Sequence, residues 1–156
     1  MKHVTVAETT FMDRANSKST AKPRGRPLHP MLVSFSAAYF VGALVTDLVY
    51  WQTPDVLWER FSIWLITAGL IVAGLAVIAY VIDLASGSQI AAPAWPRATG
   101  YVLAVVLALV NAFVHSRDGY TAVVPTGLML SGLVVVLLLL TAFVARTSAN
   151  PYRVEG

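Results

Sequence analysis

The chain reads as an all-α integral membrane protein, a four-helix bundle made of two helical hairpins behind a flexible basic N-terminal tail. Three observations carry this reading. Only 12% of the 156 residues are charged and 57% are hydrophobic, whereas a soluble domain is about 25% charged. The apolar residues gather in four long runs, each close to the ~20 residues that cross a bilayer core. The Lys and Arg residues stand at the ends of those runs, where they set membrane orientation, rather than along one face.

The elements follow in order. Residues 1–27 are polar and hold Lys2, Arg14, Lys18, Lys22, Arg24 and Arg26 against Glu8 and Asp13. No apolar stretch follows the early positive charges, so a cleavable secretory signal is not expected. The Ser, Thr, Lys and Pro content favours a flexible cytoplasmic tail. The apolar runs are Met31–Trp51, Phe61–Ile82, Tyr101–Val114 and Val123–Ala145. The third is short, and extending it to Thr99–Ser116 brings it near the lower limit of a spanning helix. Pro30 fits the first turn of helix one and Pro125 that of helix four, where a missing N–H costs little. Thr53-Pro54-Asp55 breaks the chain after the first run, and the stretch holding Gly87, Pro93 and Pro96 breaks it after the second. The resulting division is a tail at 1–27, a transmembrane domain at 28–146 and a C-terminal tail at 147–156.

Composition also excludes function classes. Whole-chain disorder and a conventional water-soluble enzyme are both ruled out. The chain has no cysteine, which removes disulfides, thiolate metal sites and cysteine nucleophiles. The net charge of +3 belongs to the span flanks, so no nucleic-acid partner is expected. With the N-terminus inside, the cytoplasmic segments carry the six tail cations plus Arg97, Arg146 and Arg153, while the outer loops carry Arg60 and Arg117. This asymmetry predicts that both termini lie inside. Trp51 and Trp58 at one interface and Trp95 at the other match aromatic belts.

Small residues recur every fourth position in helix one (Ser34, Ala38, Gly42, Thr46) and in helix three (Gly100, Ala104, Ala108, Ala112, Ser116). Such stripes let backbones approach in lipid, where hydrophobicity supplies no drive for association. They predict that helices one and three form the tight centre. Helix four, with bulky Leu133–Leu140, is expected to face lipid over most of its surface.

Polar residues at membrane depth are the candidate functional residues. Asp47 lies one turn from the outer end of helix one, and Asn111 and His115 share a face of helix three at similar depth, with Tyr50 and Trp51 nearby. At the inner end His29 precedes helix one and Asp83 closes helix two, with Arg97 as a substitute partner for either. The two groups, Asp47–Asn111–His115 and His29–Asp83, suit a polar cavity or proton relay; the plain alternative is capping and interhelical hydrogen bonding, with Asp83 and His115 snorkelling to water. His3, His29 and His115 are too far apart for zinc or a bis-histidine haem in one chain. No phosphate-binding loop or nucleophile elbow is present. Neither a cofactor nor catalysis is expected.

From Arg26-Pro27-Leu28-His29-Pro30-Met31-Leu32-Val33 the chain resembles the small bacterial membrane proteins grouped as domain of unknown function 2231. Members begin the first span with P-L-H-P-M-L-V, then a histidine or proline, then F-P, and carry an aspartate near its far end; Pro27 through Phe35 and Asp47 match. Ala68-Gly69-Leu70 and Ile82-Asp83 match the second span, and Arg97, Gly100 and Asn111 the third. The resemblance covers residues 25–145. Ser34 and Ser36 replace the histidine-or-proline and the proline, Leu103 stands where a histidine is frequent, and the Y-R-H-G-V-G ending is missing. Some relatives are fused to Rieske-type or cytochrome domains, so the resemblance implies a redox setting that the lost histidines weaken here. The expected function is a non-catalytic accessory or assembly subunit, in the lipid bilayer with a membrane protein partner or a second copy. The alternatives are a redox-associated subunit contacting haem or quinone, and a small transporter or proton relay.

Overall fold

The computed structural model describes residues 28–86, 95–117 and 123–148. The N-terminal tail, the Gly87–Pro93 part of the second break, residues 118–122 and the C-terminal tail from 149 lie outside the described residues. The helices are α1 (His29–Gln52), α2 (Val56–Ala85), α3 (Trp95–His115) and α4 (Leu128–Ser148), with a wide π-type turn at Val123–Gly127 leading into α4. Four helical segments are long and apolar enough to cross a membrane. The first three apolar runs thus each lie within a longer helix, whereas the fourth takes in the Val123–Gly127 turn and most of α4.

The ends of the helices follow from local chemistry. Thr53 is extended after α1, and the Asp55 side chain accepts from the Leu57 N–H at 2.9 Å to cap α2, an Asx cap of the usual kind. Pro30 sits in the first turn of α1. Pro125 lies in the π-type turn, after Val124 in an extended conformation, so α4 proper starts three residues beyond it. Across the peptide, Val124–Pro125 is cis. The α2 helix has 30 residues, about 45 Å at 1.5 Å per residue. It therefore outreaches a ~30 Å hydrocarbon core and carries Asp83 to the start of α1.

The helices form a ring in which α1 packs on α2, α2 on α3, α3 on α4 and α4 on α1. Helices α1 and α3 are diagonal, and their backbones hardly approach. This corrects the expectation that they form the tight centre. The reason is geometric. A repeat of four residues advances about 400° on a helix of 3.6 residues per turn, so a strict four-residue stripe drifts ~40° per step. Ser34 and Ala38 accordingly face outward, while Thr46 is buried. The buried line of α1 is Ser36, Phe40, Ala43, Asp47 and Tyr50, alternating steps of four and three. On α3 the stripe points inward from Gly100 through Ala108, then the buried line passes to Asn111 and His115.

Phe40, Ala104, Ala108 and Val134 form the apolar core, with Leu137 and Leu138 packed against it. Helix α4 is thus a full member of the core, and its span is no less buried than those of α2 and α3. Most of its surface still faces outward, as the sequence leads one to expect: Met129, Leu133, Val136, Leu139, Leu140 and Phe143 are exposed, while Val134 alone of its large side chains is buried against the alanines of α3. Gly69 of α2 makes room for the Phe40 ring: a Cβ there would stand 2.7 Å from Phe40 Cε1. Gly69→Ala is therefore expected to cost about 1–3 kcal/mol through overpacking, read as a lowered Tm in mild detergent. Gly74 has open space around its Cα, so Gly74→Ala should stay within about 0.5 kcal/mol of wild type.

Candidate functional site: a buried polar network

Two polar clusters occupy opposite ends of the bundle. The end with the Thr53–Asp55 turn holds Asp47, Ser62, Asn111, His115 and Ser131, all buried. Asp47 is 0% exposed and Asn111 1%. In an apolar medium such groups are tolerated only when their hydrogen-bonding demands are met.

Each helix contributes. From α1, Asp47 Oδ1 lies 3.1 Å from Nε2 of His115, across the diagonal from α3. From α4, the Ser131 hydroxyl donates to Asp47 Oδ2. Asn111 Nδ2 donates to the Ser131 Oγ at 2.7 Å. The Ser62 Oγ of α2 is 3.3 Å from His115 Nε2 and 3.4 Å from the Ala43 carbonyl. The other imidazole nitrogen, Nδ1, faces the Asn111 carbonyl oxygen at 3.0 Å. These bonds tie four helices together at one depth, five residues before the end of α1.

The bonds have a direction. Ser131 has one hydroxyl proton and gives it to Asp47. The group Ser131 receives must then be a donor, which places Asn111 Nδ2 toward it and leaves Asn111 Oδ1 on the far side of the amide. That Oδ1 is buried and has no hydrogen-bond partner among the described residues. The Val123–Gly127 turn covers the imidazole: a Cβ on Gly127 would stand 2.7 Å from His115 Cε1. Glycine at 127 is what lets the ring come this close to the start of α4.

At the opposite end Asp83 of α2 caps α1. Its Oδ2 accepts from the Leu28 N–H at 3.1 Å and from the His29 N–H at 3.4 Å, and it meets His29 Nδ1 at 3.0 Å. Leu28 supplies no side-chain cap, so a carboxylate from a neighbouring helix satisfies the orphan donors and the positive end of the helix dipole. The His29 ring rests edge-on against Tyr80, with centroids 5.2 Å apart. Between the clusters, Tyr101 of α3 donates its hydroxyl to the buried Ser36 of α1 at 3.0 Å, a second link across the diagonal.

The structure thus joins Asp47 with His115, and Asn111 to both through Ser131 and its own carbonyl; it also joins His29 with Asp83. Tyr50 is buried on the same line of α1, whereas Trp51 faces outward. Arg97 stands exposed at the start of α3, and the His29 imidazole takes the place beside Asp83. The His115 side chain is enclosed at 0% exposure, which corrects the expectation that it snorkels to water. Ser62, Ser131, Ser36 and Tyr101 are members that sequence reasoning missed. A hydroxyl in an apolar run gives no sequence signal of a partner, because it can equally bond to its own helix backbone. Among the described residues no group of three or more His, Cys, Asp or Glu comes together as a metal cage.

A family model described as a predicted membrane protein, DUF2231, matches residues 25–155. No curated protein matches the chain, and no solved structure does.

Proposed function

The chain belongs to the DUF2231 family of predicted membrane proteins, and from that premise we propose that it is a non-catalytic accessory or assembly subunit of a bacterial inner-membrane complex. Its termini lie on the cytoplasmic side, a reading supported by the six N-terminal cations together with Arg97, Arg146 and Arg153 toward that end of the bundle, against Arg60 and Arg117 toward the other.

One observation carries the docking reading: Asp47, Asn111 and His115 are turned inward while small residues face outward. Ser34 and Ala38 are exposed on α1, and Gly74 is exposed on α2 with nothing near it. Small outward residues at membrane depth let another helix approach closely. Mid-bundle packing of Phe40, Ala104, Ala108 and Val134 separates the two polar clusters, which favours docking over conduction through the bundle. The test is native mass spectrometry of the protein extracted gently from its own membranes. Wild type is expected to carry a protein partner or a second copy, and Ala38→Leu with Gly74→Leu to lose it while staying folded. A bare wild-type chain, or a complex indifferent to both substitutions, would sink the docking role. A mass excess equal to haem or quinone would instead favour the redox setting.

A further inference from the structure

We infer that the Asp47–His115–Ser131–Asn111 network is a binding site for one exchangeable proton, held between His115 Nε2 and Asp47 Oδ1, with a water molecule on Asn111 Oδ1. The inference does not depend on what the chain docks with.

The proton count follows from the acceptors. His115 Nδ1 faces a main-chain carbonyl, which can only accept, so Nδ1 carries a hydrogen. Nε2 then faces Asp47 Oδ1 at 3.1 Å. Without a proton between them, an imidazole lone pair would face a carboxylate in an apolar surround. One proton therefore belongs to the gap, and the pair is neutral as a whole, whether written as imidazolium and carboxylate or as imidazole and carboxylic acid. Removing it leaves a buried net negative charge, with the Ser131 hydroxyl hydrogen-bonded to the carboxylate.

The surroundings are suited to hold that proton. On α1, Tyr50 is buried one turn beyond Asp47. On α2, Glu59 is the further charged group acting on the imidazole, with Ser62 in hydrogen-bonding range. On α4, the group facing the pair is the Ser131 hydroxyl.

Asn111 Oδ1 supplies the second observation. Its amide cannot turn over, because Ser131 has already given its hydrogen to Asp47. Among the described residues no group donates to this oxygen, and buried amide oxygens of folded proteins are normally matched, often by an internal water. The ligand that fits is a small donor bearing no charge of its own, next to a site that exchanges a proton. Water meets both demands.

Solid-state NMR of the full chain in lipid bilayers tests this without a substitution. His115 is the only histidine followed by serine, so carbon-labelled histidine with nitrogen-labelled serine assigns it. The expected result is a protonated Nδ1, a second proton shared between Nε2 and the Asp47 carboxyl that exchanges with deuterium, and a contact between the Asn111 amide and water. A bare Nδ1 would overturn the proton count, as would an Nε2 signal unaltered by Asp47→Asn. An Asn111 amide without a water contact would overturn the hydration of the site.

Discussion

Asp47→Ala is expected to lower the stability of the bundle by about 3 kcal/mol, the range found when one partner of a buried charged pair is removed. A single hydrogen bond between membrane helices contributes only ~0.6 kcal/mol on average. Asp47 should exceed this because its carboxylate receives Ser131 and His115 at once, and its loss strands the imidazole. Thermal unfolding in mild detergent would show the effect, with His115→Ala nearly as costly. The double variant is expected to be less damaged than the sum of the two, since both polar groups leave together. Additive losses would mean that the two side chains do not act as a pair.

Gly127→Ala should be the most damaging single-methyl addition near the site, at about 1–3 kcal/mol. The new Cβ would stand 2.7 Å from His115 Cε1, and the ring can yield only by leaving Asp47. The effect is specific to that ring. In a His115→Ala background the same methyl group meets space, so Gly127→Ala should cost little there. An equal cost in both backgrounds would place the strain in the backbone of the Val123–Gly127 turn instead.

Much of this architecture was legible from the residues. Spans were visible because lipid demands long apolar runs, and Asp47, Asn111 and His115 because charged and amide groups are costly at that depth. The serines were not visible. A hydroxyl can bond to its own helix backbone, as Ser34 does to the Pro30 carbonyl, so its presence in a span carries no mark of a partner. Ser62, Ser131 and Ser36 differ from Ser34 only in the direction they face, and direction is set by the rotation of the whole helix. The four-residue stripes misled for the related reason that a repeat slightly longer than the helical turn winds around the helix. Only the alternation of four and three holds one face.

Asp83 and Asp47 also divide the chain by the order in which it is made. The first hairpin contains His29, Asp83, Asp47 and Ser62, so its clasp of His29 with Asp83 closes as soon as α2 is in place. Asp47 has to wait for His115 and Ser131, which arrive with the second hairpin. Until then an acidic side chain sits in lipid without its acceptors' counterparts, at a cost of about 2.5–3.5 kcal/mol at the bilayer centre and less near its edge. The position of Asp47, five residues from the end of α1, keeps that interval survivable. The half-inserted chain carries a polar side chain whose partners in the finished bundle, His115 and Ser131, come from its own second half, and this favours joining the two hairpins of one chain.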